Sequence, residues 1–177
     1  RYDTTSNFES PESWSAFDAG RNGAGVDPDG YATGIFDGKY IYFVPVYNGS
    51  FLHGEVLRYD TTSNFQSPDS WSTFDAGANG VGNDPVGYSA GIFDGRYIYF
   101  APYHNGNEHH GEVLRYDTTF NFESAESWST FDAGANGVGS DPDGYWGVEL
   151  VGKYIYFTPL YNGNSYYGEV LRYDTTS

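Results

Sequence analysis

Gly30-Tyr-Ala-Thr-Gly-Ile-Phe36, Asp37-Gly38 and Lys39-Tyr-Ile-Tyr-Phe-Val44 decide how this chain folds. The first stretch reads as a strand, the Asp-Gly pair supplies a tight hairpin turn, and the second stretch reads as a returning strand. Lys39 to Val44 is apolar or aromatic on both faces, which predicts a strand covered from both sides. Beyond the Asn48-Gly49 loop, Gly54 to Thr61 reads as a third strand around Glu-Val-Leu-Arg-Tyr-Asp-Thr, and Ser70 to Phe74 as a short fourth around Trp71. No stretch has helical spacing, and Gly or Pro interrupts too often for an ordinary helix.

The pattern recurs. Arg-Tyr-Asp-Thr-Thr opens at Arg1, Arg58 and Arg115 and returns at Arg172, giving units 1–57, 58–114 and 115–171 with 172–177 as a partial fourth. The first two units agree at 41 of 57 positions, so the repetition belongs to tertiary architecture and points to recent duplication. The chain is read as a single all-β repeat domain, residues 1–177. Four short antiparallel strands per unit, buried on both faces by neighbouring units, describe a propeller blade.

The run Gly95-Arg-Tyr-Ile-Tyr-Phe100, then Glu112-Val-Leu-Arg-Tyr-Asp-Thr-Thr119, then Ser127-Trp128-Ser129 resembles the kelch-like group of β-propeller repeats. That resemblance covers all three units and implies a β-propeller built of four-stranded antiparallel blades, three blades per chain.

Three blades fall short of the usual four to eight. Moreover, Glu12 to Asp18 reads as a fourth strand without a blade, while the third unit lacks its own. Exchange of that strand between two chains predicts a homodimer with a symmetric six-bladed ring. The chain begins at Arg1 and contains no Met, so the alternative expectation is a processed product or an excerpt of a longer propeller.

Composition restricts the partners. Twenty per cent aromatic residues furnish a core, and 24 acidic against 8 basic residues give a formal charge of −16, which repels nucleic acid and anionic membranes. No apolar run is long enough to span a bilayer. Absent cysteine excludes disulfides, thiolate zinc sites and cysteine nucleophiles. Asn48-Gly49-Ser50 fits the glycosylation acceptor pattern, though such a short match in a Gly-rich loop arises readily by chance.

Strand order in an up-down-up-down blade places the loop between strands two and three beside the long connection to the next blade. Differences between the first two units concentrate in these loops, as binding surfaces and drifting loop tips both would. Each long connection reads Asp-Ala-Gly-x-Asn-Gly-x-Gly-x-Asp-Pro-x-Gly-Tyr. Asp18, Asn22 and Asp27, Asp75, Asn79 and Asp84, and Asp132, Asn136 and Asp141 are therefore candidate Ca²⁺ ligands, with turn formation the competing role.

The same rim holds Tyr31, Tyr88 and Tyr145 together with Tyr47-Asn48, His104-Asn105 and Tyr161-Asn162, aromatic and amide groups suited to carbohydrate. His109-His110 could instead bind a transition metal. Arg58 and Asp60, two residues apart on one strand face, predict a ladder of ion pairs between blades, and the repeated Trp14, Trp71 and Trp128 predict packing.

Taken together, the residues point to a non-catalytic, multivalent, lectin-like module that gains avidity from several weak sites, with a secreted or extracellular location. A duplicated or designed scaffold without ligand is the alternative. A propeller glycosidase fragment comes third, because every repeated Asp lacks singularity and only Glu149 stands alone on an innermost strand.

Overall fold

An aspartate sets the first turn. In the computed structural model, which describes residues 1–177, β1 (Tyr31–Phe36) pairs antiparallel with β2 (Tyr40–Pro45). Between them, Asp37 Oδ1 accepts the backbone N–H groups of Lys39 at 2.8 Å and Tyr40 at 2.6 Å, and Oδ2 accepts the Tyr42 hydroxyl at 2.9 Å. This is the side-chain turn for which Asp is favoured. Asp94 repeats it between β5 (Tyr88–Phe93) and β6 (Tyr97–Pro102). In the third unit Val151 stands at that position and offers no acceptor, so β9 (Tyr145–Val151) runs on before Gly152 turns it into β10 (Tyr154–Pro159).

β3 (Glu55–Asp60) and β4 (Trp71–Asp75) complete the first sheet in the order β1-β2-β3-β4, and β7 (Glu112–Asp117) and β8 (Trp128–Asp132) complete the second. The third has three strands, β11 (Leu171–Asp174), β10 and β9. Innermost strands β1, β5 and β9 pack side by side, and Ser89 Oγ donates to the Tyr145 carbonyl at 2.7 Å across one joint. The result is a propeller-like repeat of antiparallel sheets that do not close into a ring. The four strands expected from Gly30 to Phe74 form, with ends displaced by about one residue. Glu12 to Asp18 does not extend as a strand; only Trp14 bridges Tyr2, because the three residues Arg1 to Asp3 are all that lie alongside.

Aromatic stacking welds successive units. Trp128 lies on Phe74 of the preceding sheet at 5.0 Å with 12° between planes and on Tyr116 at 4.6 Å, while its indole N–H donates to the Phe122 carbonyl at 2.8 Å. Trp71 and Trp128 thus have the packing role expected of them, since such pairs add to the burial of their surface, whereas Trp14 is 48% exposed. The Arg–Asp ladder is not formed. Arg58 spreads its guanidinium over Tyr40 at 4.5 Å and Phe122 at 4.1 Å, a contact suited to its flat, weakly hydrated cation. Asp60 instead closes its own turn on Thr62 and pairs with Lys39 at 3.3 Å.

Candidate binding rim

Gly30, Gly87 and Gly144 hold the two loop families together. Their φ angles are 70°, 68° and 69°, in the left-handed region. Each lies so close to the next loop that a Cβ would overlap the carbonyl oxygen of Tyr47, His104 or Tyr161. The Gly30 carbonyl accepts the N–H groups of Val46 at 3.1 Å and Tyr47 at 3.2 Å. The long connection and the β2–β3 loop therefore share one rim, as strand order predicts.

A second anchor comes from β3. Glu55 receives the N–H groups of Val26 at 2.9 Å and Asp27 at 3.1 Å. Glu112 does the same for Asn83 and Asp84, and Glu169 for Ser140 and Asp141. Charged acceptors make such bonds strong, and Glu55 and Glu112 are buried. Sequence reasoning treated these glutamates as strand residues only. Their signal was present: an acid kept in all three units within a strand otherwise rich in apolar residues.

Of the nine Asp and Asn side chains considered for calcium, eight are engaged in hydrogen bonds within and between the loops. Asp18, Asp75 and Asp132 accept the N–H groups of Arg21, Ala78 and Ala135, each at 2.9 Å. Asn22, Asn79 and Asn136 donate back to the carbonyls of those aspartates at 2.6, 2.7 and 2.7 Å. Asp27 and Asp141 take the amides of Asn48 and Asn162 at 2.8 and 2.7 Å, and Asp84 is held through its N–H by Glu112. No group of three or more His, Asp or Glu side chains is arranged to hold a metal ion.

Among the aromatic candidates, Tyr88 and Tyr145 are fully buried and Tyr31 is half-buried, so they pack the joints beneath the rim instead of presenting faces on it. They lie against His110, Tyr167 and His53, and their hydroxyls have no partner. Burial pushes all three hydroxyls well above the usual tyrosine range. Tyr47 and Tyr161 remain in the loops, each donating to a glycine carbonyl two residues on, and Asn48, Asn105 and Asn162 brace the same loops by accepting backbone N–H groups.

Where the second and third units meet, these loops enclose a polar cleft of about 450 Å³ lined by His104, His109, Asp141, Asp143, Tyr161 and Asn162, with Asn107, Glu108 and Asn164. His109 stands edge-on between His104 at 4.7 Å and Tyr161 at 5.1 Å. Its Nδ1 donates to the Tyr103 carbonyl at 2.9 Å, which leaves Nε2 as the acceptor, and burial lowers its pKa. Burial, then the neighbouring Asp141 and Asp132, push the Asp143 carboxyl up to about 6. Asp143 and His109 were not among the candidates for carbohydrate. At the joint between the first two units their places are taken by Val86 and Leu52, so the acidic cleft is not repeated there.

No family model matches the chain, and no curated protein matches it.

Proposed function

We propose that this chain is a non-catalytic binding module that takes carbohydrate in the cleft between its second and third units. The cleft carries the reading. Its volume lies within the range of small-ligand sites, and it combines carboxylates and amides for hydroxyl groups with the Tyr161, His104 and His109 rings for apolar sugar faces. Asp141 repeats Asp27 and Asp84 of the earlier units instead of standing alone, and this favours binding over hydrolysis. Multivalency would come from the remaining rim loops as weaker subsites, and a secreted or extracellular setting is where such ligands are met. Kinship with kelch-like blades rests on the succession of aromatic, Tyr-Asp and Trp strands.

A scaffold without ligand is the second reading, favoured by the way Asn162 and Asp141 satisfy each other. A glycan array separates the two. Binding by the native chain that is lost in Tyr161→Ala and His109→Ala supports the lectin-like module, and a flat array overturns it.

A further inference from the structure

Between neighbouring units, one rule of contact repeats. Each outer segment presents a Phe and a Trp, and the unit before it presents an Arg and a Phe to receive them. Phe65 receives Arg1 at 5.4 Å, and Trp71 stacks on Phe17 at 5.3 Å. Phe122 and Trp128 repeat this with Arg58 and Phe74.

The rule leaves two complementary surfaces unmatched. At one, Phe131 is 52% exposed where its counterpart Phe74 is 5% exposed. Beside it opens an apolar groove of about 450 Å³ whose walls include Tyr99, Arg115, Phe131, Phe157 and Tyr173. These correspond, unit for unit, to Tyr42, Arg58, Phe74, Phe100 and Tyr116, which surround Phe122 and Trp128 one joint earlier. At the other surface, Phe8 and Trp14 are 64% and 48% exposed and stack only on each other and on Tyr2.

We propose that the groove receives residues 8–18 of a second copy of this chain, Trp14 lying on Phe131 and Phe8 under Arg115, so that two chains join head to tail at two equivalent joints. The inference is independent of the carbohydrate reading.

Strand pairing favours the exchange. Glu55 and Val56 pair only with β4, opposite Asp75 and Phe74. Glu169 and Val170 have no such neighbour, fall outside β11, and leave Val170 55% exposed where Val56 is fully buried and Val113 is 8% exposed. An incoming segment would set Asp18 and Phe17 opposite them. Within one chain that segment is held by Arg1 to Asp3 alone, through the Tyr2–Trp14 bridge and bonds such as Ser15 N–H to the Arg1 carbonyl at 2.9 Å. Residues 1–6 and 172–177 have the same sequence, Arg-Tyr-Asp-Thr-Thr-Ser. One copy's β11 can therefore replace the other's Arg1 to Asp3 position for position, adding the Glu169 and Val170 pairs. This is the low-cost exchange of identical elements that makes dimers.

Copy number follows from closure. Head-to-tail contacts give rings when the rotation completes a turn. One, two and three copies contribute three, six and nine blades, of which only six falls in the usual span of four to eight. With a formal charge of −16 per chain, added salt should tighten the assembly by screening repulsion between copies.

Native mass spectrometry and light scattering test the proposal. The expected mass is twice the 19.6 kDa of one chain. Phe131→Glu should halve it with an unchanged circular dichroism spectrum, because that side chain already faces solvent in the single chain. Phe51→Glu, which places on another exposed ring the residue that the second unit carries at Glu108, should leave the dimer intact. Trp14→Ala and Phe131→Glu, each monomeric alone, should recover a dimer on mixing, since one joint of the mixed pair keeps both native partners. A native chain that stays monomeric, a dimer that survives Phe131→Glu, or assemblies larger than two would each overturn the proposal.

Discussion

Glu112 reaches from β7 to receive the N–H groups of Asn83 and Asp84 at 2.9 and 3.1 Å, fixing a loop twenty-eight residues away in sequence. One buried carboxylate thereby satisfies two successive amide groups that the irregular backbone cannot pair by itself.

Glu112→Gln keeps the size of the side chain and removes one of its two acceptors. The expected loss is about 1–3 kcal/mol of stability, because a buried donor is left without its charged partner. Hydrogen exchange should localise the damage, with the Asn83 and Asp84 amides losing protection before those of β6.

Two aspartates should give opposite pH responses. Asp143 is held up to about 6 by burial and by its acidic neighbours. The folded chain therefore binds that proton more tightly than the unfolded chain, and stability falls as pH rises from about 4 through 6. Asp143→Asn should raise the melting temperature at pH 7 by about 1 kcal/mol equivalent, discounted for partial exposure, and change nothing near pH 4. For Asp117, burial is outweighed by Arg96 at 2.7 Å and by Thr119, which hold the carboxyl down to about 2. Asp117→Asn should lower the melting temperature at pH 7 by a similar amount, and the difference should vanish as pH falls from about 4 towards 2.

Two buried tyrosines should respond differently to loss of a hydroxyl. Tyr116 donates to the Phe120 carbonyl at 3.0 Å, whereas the Tyr88 hydroxyl has no partner. Tyr116→Phe should cost about 1 kcal/mol and Tyr88→Phe should be neutral or stabilising. Chemical denaturation of both variants would read the contrast, and a larger loss for Tyr88→Phe would refute it.

Asp75 closes a turn by accepting the Ala78 N–H at 2.9 Å. Asp75→Ala should cost about 1 kcal/mol, comparable to loss of a cap, and by the same amount in calcium as in chelator. A native melting temperature that rises with calcium would contradict the turn-forming role.

Much of the fold was legible because the signals are local. Asp37-Gly38 and the strand-forming runs on either side of it place β1 and β2 to within a residue, and Trp71 and Trp128 read as packing groups because Trp recurs once in each unit. Arg58 misled because its partners, Tyr40 and Phe122, lie on another strand and in the next unit, while spacing within one strand shows only Asp60. Tyr88 and Tyr145 misled for a related reason. They follow the loop motif directly, yet the first residue of an innermost strand turns into the joint between sheets. The cleft was half legible: His104, Asp141, Tyr161 and Asn162 were among the candidates, but His109 of one unit faces Tyr161 and Asp143 of the next only where the two units meet.

The double anchoring of the rim by glycine and glutamate separates what holds a loop from what the loop displays. Residues 50–52 and 107–109 differ between units that otherwise keep the same fixtures. Their tips can thus be exchanged as cassettes, and a library randomised at those six positions would sample new specificities on an unchanged chassis.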